Sequence, residues 1–141
     1  MAEAAAEAAA GSAPAERPPG TLARAWWVMT SFYTVMSFLV GLLLAVPGLL
    51  GLMGALPKND WVGIRMNDVM RDERTWDAGH RAGGPWLVAA GAVAMISGVA
   101  LLFADPGPGT ATRVETLGMV GAFALAAVGA WRAQTAARRV K

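Results

Sequence analysis

The sequence predicts an all-α integral membrane protein of about three transmembrane helices with a structured cytoplasmic loop. The first reason is that three runs contain no Asp, Glu, Lys, Arg or His: Ala25–Leu56, Ala82–Ala104 and Thr116–Trp131. They take up half of the 141 residues, so the 12 basic and 10 acidic residues and the single His crowd into the other half. A soluble fold of this size has no interior large enough for three such runs, whereas about 20 apolar residues span a hydrocarbon core of about 30 Å. The second reason is composition, 55% hydrophobic and 16% charged, against about 25% charged in soluble domains. Trp26, Trp27 and Trp86 stand near the ends of the runs, where indoles favour the headgroup layer. These features exclude a soluble enzyme, a nucleic-acid-binding domain and a disulfide scaffold.

The elements follow in chain order. Residues 1–21 read as a disordered tail, because the Ala-Glu stretch is short and Pro14, Pro18 and Pro19 interrupt it. No basic residue precedes an apolar stretch of signal-peptide length, so the first span is expected to stay uncleaved. The membrane domain is expected over 22–133, with helices over about 22–56, 85–103 and 115–132 and a cytoplasmic loop over 57–84. The first segment is longer than a bilayer core needs, and Pro47-Gly48 is expected to kink or end its helix. Pro85 can open the second helix, where its missing N–H costs nothing. Asp105-Pro106-Gly107-Pro108-Gly109 is a turn. The third segment either spans or lies on the surface, and a basic tail is expected over 134–141. Ala90, Ala94 and Gly98, and again Gly118, Ala122, Ala126 and Ala130, repeat at four-residue spacing. Such smooth faces let helix backbones approach closely in lipid.

Orientation rests on Lys and Arg. Lys58, Arg65, Arg71, Arg74 and Arg81 in the loop share a side with Arg132, Arg138, Arg139 and Lys141, against Arg17, Arg24 and Arg113 opposite. The loop and C-terminus are therefore expected in the cytoplasm and the N-terminus outside. No charged residue is expected within a span, so an intramembrane ion or proton relay is not expected either.

The loop concentrates the remaining chemistry. Asp68 or Asp72 can cap a helix running toward Ala82, with Val69, Glu73, Trp76 and His80 on one face, Glu73 and His80 flanking Trp76. Gly83-Gly84-Pro85 is expected to separate it from the second span. Arg65 either snorkels, pairs with Asp68 or Asp72, or anchors a carboxylate or phosphate. Trp61 and Trp76 read as interfacial anchors. His80 is either a proton switch or a hydrogen-bonded structural residue. No nucleophile–base pair or metal-ligand spacing occurs, so the expectation is no enzyme, no metal and no cofactor.

Pro57-Lys58-Asn59-Asp60-Trp61-Val62-Gly63-Ile64-Arg65, followed by Trp76-Asp77-Ala78-Gly79-His80-Arg81-Ala82-Gly83-Gly84, resembles the signature of the SdpI family of bacterial membrane proteins. Asn59, Gly63, Ile64, Arg65, Trp76, His80, Arg81 and Gly84 match in order and spacing, over about Leu50–Phe103. Met66-Asn67 stand where the family often has Thr-Pro, and Pro85 interrupts its smooth run into the next helix. The namesake has about twice as many spans, and the chain resembles its C-terminal half. The resemblance implies a multi-pass protein of the bacterial cytoplasmic membrane, acting in immunity to a secreted peptide toxin or in signal transduction. The expected partners are a membrane-active peptide or other membrane proteins, the lipid bilayer, a cytoplasmic regulator at the loop and a second copy of the chain, with no direct nucleic acid. Packing along the Gly/Ala faces, with Arg65, His80 and Arg81 holding the loop for partners to read, is the expected mechanism. An accessory subunit of a larger membrane complex is the alternative.

Overall fold

In the computed structural model of the chain, residues 19–103 and 108–140 are described. They form three long helices: α1 (Pro19–Leu52), α2 (Glu73–Phe103) and α3 (Pro108–Arg138). All three are long and apolar enough to cross a membrane. Residues 1–18 of the expected N-terminal tail, 104–107, which include the first three residues of the expected turn, and Lys141 of the expected basic tail lie outside the described residues; Pro108 and Gly109 of that turn open α3 instead.

Helix α2 is the centre of the bundle and meets α1 and α3 on different faces. Toward α1, small residues recur every seventh position. A Cβ on Gly84 would stand 2.6 Å from the Gly48 carbonyl oxygen, one on Gly91 2.4 Å from that of Gly41, and one on Gly98 2.8 Å from the Ser37 Cβ. A seven-residue repeat keeps one seam facing the partner along the length of a helix pair. Toward α3, Ala90 and Ala94 pack against Ala122, all three essentially solvent-free. Gly83 and Gly129 approach each other's backbones lower down, and Gly118 lies against Ser97. The smooth Gly/Ala faces are thus consumed inside the bundle. The close backbone approach expected of them is made within the chain itself.

Four further expectations are revised. Helix α1 runs unbroken through Pro47 to Leu52, so Pro47-Gly48 does not end it. A proline inside a span is tolerated where a neighbouring helix packs over the freed backbone, and Pro47 and Gly48 are both buried. Gly83-Gly84-Pro85 does not separate a loop helix from the second span, because α2 is continuous from Glu73. Helix α3 extends through most of the expected tail to Arg138. Glu115 is then two turns inside α3 and buried, so an ionisable side chain does lie inside the candidate third span.

The α1 helix ends in a two-bond C-cap. Gly54 N–H donates to the Gly51 carbonyl (3.1 Å) and Ala55 N–H to the Leu50 carbonyl (2.8 Å). Gly54 has φ +68°, the left-handed conformation this cap requires. The chain then folds back over the end of the bundle. Leu56, Ile64 and Val69 from this loop bury themselves with Trp76 and Leu87 of α2 and with Ala133 and Ala137 of α3. Residues 53–72 are therefore a packed cap.

Candidate functional site

The cap is held by a small set of polar contacts around the first turns of α2. Asp72 starts the helix. Its carboxylate accepts the Thr75 N–H (2.8 Å) while its own N–H donates to Thr75 Oγ1 (3.0 Å). This reciprocal pair satisfies two backbone donors that a helix start otherwise leaves unpaired. The hydrogen bond from the Thr75 backbone holds the Asp72 carboxyl below its ordinary range. Its contribution is present above the unfolded-state value and lost as the pH falls through the folded one. Acidification is thus expected to fray the start of α2, seen as faster hydrogen exchange at the Thr75 and Trp76 amides. Asp72→Ala should show that faster exchange at neutral pH.

One turn on, Trp76 is 1% exposed and its Nε1–H donates to the Leu56 carbonyl (2.8 Å). It is a buried clamp on the returning chain, not the interfacial anchor expected. His80 lies one turn further, its ring 4.0 Å from the Trp76 ring. Ile64 N–H donates to His80 Nε2 at 2.8 Å. A backbone N–H can only donate, so Nε2 carries the lone pair and Nδ1 the hydrogen. That Nδ1–H points at the Trp76 carbonyl, 2.9 Å away. Both ring nitrogens meet backbone partners, so His80 is hydrogen-bonded within the cap.

Gly63 makes this approach possible. Its φ is +118°, and a Cβ there would fall 2.4 Å from His80 Nε2 and 3.2 Å from Trp76 Cη2. Asn59 shapes the preceding turn. Its Oδ1 accepts from the N–H groups of Trp61 (2.9 Å) and Val62 (2.7 Å), while its Nδ2 donates to the Pro57 carbonyl (2.8 Å). This Asx turn carries Trp61 into the open at 89% exposure.

The eight motif positions thus divide. Asn59, Gly63, Ile64, Trp76 and His80 form one latch. Gly84 belongs to the α1–α2 seam. Arg81 is exposed, with its guanidinium against Gly54, so close that a Cβ there would be 2.7 Å from Nη2. It lies beside the C-terminal carbonyls of α1, which favour a cation. Arg65 points outward. It does not pair with Asp68 or Asp72: Asp68 accepts from Gln134 Nε2 (2.5 Å) and Arg138 Nε (2.8 Å), and Asp72 pairs with Arg71 (3.4 Å). Val69 precedes α2 and packs under Gly79 instead of sharing a helix face, and Glu73 is exposed rather than flanking Trp76. Arg71 Nη2 also donates to the Val140 carbonyl (2.9 Å), so the end of the chain is tied to the cap. These ties to Gln134, Arg138 and Val140 were not foreseen, and no local spacing announces them. The Gly54 cap was not foreseen either, because Gly54 lies inside the apolar run that ends at Leu56. Among the described residues, no three His, Asp or Glu side chains gather to hold a metal ion.

Three packed helices of spanning length, with a folded polar cap latched over one end, define a small multi-pass helical membrane protein. The model of the SdpI/YfhL protein family matches residues 55–131, which takes in the cap, α2 and most of α3. The match covers more than half of the chain, and the protein belongs to the SdpI/YfhL protein family. No curated protein and no solved structure matches it.

Proposed function

We propose that the protein is a non-enzymatic recognition protein of the bacterial cytoplasmic membrane, which binds a membrane-active peptide or a protein partner in an immunity or signalling role. The cap faces the cytoplasm in this reading, with the N-terminus outside, as the distribution of Lys and Arg favours. The observation that carries it is the pre-organised Asx turn, which holds a nearly fully exposed tryptophan on a cap whose own core is closed. A large aromatic ring held rigidly at a surface loses little entropy on docking and is the residue type that most often anchors an interface. Val62 beside it is partly exposed, and Lys58, Asp60 and Arg65 surround it with charge of both signs. That mixture suits an amphipathic peptide or a protein segment.

Cells challenged with a secreted membrane-active peptide, with and without the protein, test the immunity role. Equal killing in both, with the protein well expressed, removes it. Trp61→Ala should weaken partner binding by about 2 kcal/mol or more, about thirtyfold, and lower the peptide dose that kills. Its unfolding midpoint in detergent should not move, because Trp61 touches none of the cap core.

An accessory subunit of a larger membrane assembly is the second reading. Helix α1 favours it, since Phe32, Val35, Leu39, Leu43 and Val46 form an apolar surface that α2 leaves uncovered. Stoichiometric co-purification of larger membrane proteins in mild detergent supports this reading, and a lone homo-oligomer argues against it.

A further inference from the structure

The buried carboxyl of Glu115 has no part in the cap. It lies seven residues inside α3, about 10 Å from the helix start at 1.5 Å per residue. The side chain is 8% exposed. Its Oε1 is hydrogen-bonded to Ser37 Oγ of α1, while Oε2 is buried without a partner. Ser37 stands eleven residues past Trp26, about 16 Å further along α1, so the pair lies within the apolar slab. The contact joins the two outer helices directly, across the edge of α2, where Thr34 also donates to the Gly98 carbonyl (3.1 Å) and Gly118 abuts Ser97.

The hydrogen inventory is informative. Ser37 Oγ has one proton and two oxygen neighbours, the Tyr33 carbonyl at 2.7 Å and Glu115 Oε1. If the hydroxyl donates to Tyr33, Glu115 must donate to Ser37, which requires a proton on the carboxyl. If the carboxyl is ionised, Ser37 can serve one oxygen only and Oε2 keeps its charge with no donor. A buried ionised group without partners is costly. Among the described residues no counter-charge is at hand. Between Ala25 and Leu52 α1 has no charged residue, and Tyr33 is its titratable neighbour there. Helix α2 has no charged residue from Ala82 to Phe103. On α3 Arg113 is two residues away and exposed. Asp105 lies outside the described residues.

We propose that Glu115 is a proton-binding site within the membrane, whose protonated carboxyl latches α3 to α1 through Ser37 and whose ionised form releases them. Loss of the proton leaves the Ser37 hydroxyl as the one donor for the Tyr33 carbonyl and the carboxylate, with Oε2 charged and still to solvate. Water or a cation then has to enter, and the α1–α3 contact opens. The site takes a proton as its ligand and works independently of the cap.

Two measurements on the full chain in phospholipid vesicles test this. Dicyclohexylcarbodiimide reacts with protonated carboxyls in apolar surroundings. Peptide mapping should find the label on Glu115 at acid pH, none at that position in Glu115→Gln, and less label on Glu115 at alkaline pH. The sequence has no cysteine, so spin labels on Phe38→Cys and Leu117→Cys, both exposed positions, report the α1–α3 distance without background. That distance should be narrow at acid pH and longer or broader at alkaline pH. With Glu115→Gln, which keeps a neutral donor, it should be narrow at both, and this also shows that the variant is folded. Absence of label on Glu115 at acid pH, or a wild-type distance that does not change with pH, overturns the proposal.

Discussion

Gly63→Ala is expected to unseat the cap. At φ +118° a side chain strains the backbone, by about 1–3 kcal/mol. The added Cβ also falls 2.4 Å from His80 Nε2, on the acceptor of the Ile64 N–H. The ring and the Gly63 backbone cannot both stay. Separating them leaves a buried donor and a buried acceptor unpaired, about 1–3 kcal/mol more. The thermal midpoint in detergent should drop, and trypsin should gain access to Lys58, Arg65 and Arg71. Gly109→Ala is the control, because a Cβ there meets nothing within 4 Å. A Gly63→Ala protein with the wild-type midpoint and cleavage pattern would show that the latch does not seat the cap.

Trp76→Ala should cost about 3–5 kcal/mol, the range for emptying a large aromatic site in a core. Trp76 fills the space between the cap and the bundle: it touches the cap core, stacks on His80 and donates to Leu56. Trp76→Phe separates these contributions. It keeps most of the apolar area and removes the indole donor, so it should lose about 1–3 kcal/mol, the cost of leaving a buried acceptor unpaired. Chemical denaturation of both variants in the same detergent gives the comparison. Equal losses would mean that the hydrogen bond to Leu56 dominates. A small loss for Trp76→Ala would mean that the cap is not packed on this residue in solution. Neither change should alter the α1–α3 spin-label distance at acid pH, since Ser37 and Glu115 lie well away from the cap.

Both predictions concern residues whose importance was visible as a motif but whose roles were not. Trp76 read as a membrane-surface anchor and proves to be a core residue. His80 stood open between a switch and a hydrogen-bonded structural role, and the structure gives both its ring nitrogens backbone partners. Arg65 is in the same motif, yet it reaches neither carboxylate first considered. A lone sequence cannot separate these cases. Each depends on which backbone group the folded chain brings opposite the side chain.

The presence of three long apolar helices, a polar loop between the first two and the family were readable from residue order. Transfer from water to lipid is close to a sum over single residues, so uninterrupted apolar runs are enough to locate spanning helices. Helix continuity through Pro47 and Pro85, the burial of Trp76, the tie from Asp68 to Gln134 and Arg138, and the pairing of Ser37 with Glu115 were decided only by the tertiary structure. These are properties of pairs, up to 78 positions apart along the chain. A proline survives in a helix because a neighbour covers it, and a carboxyl tolerates burial because a hydroxyl on another helix meets it. Neither partner is marked in the local sequence, because packing, not hydropathy, selects it.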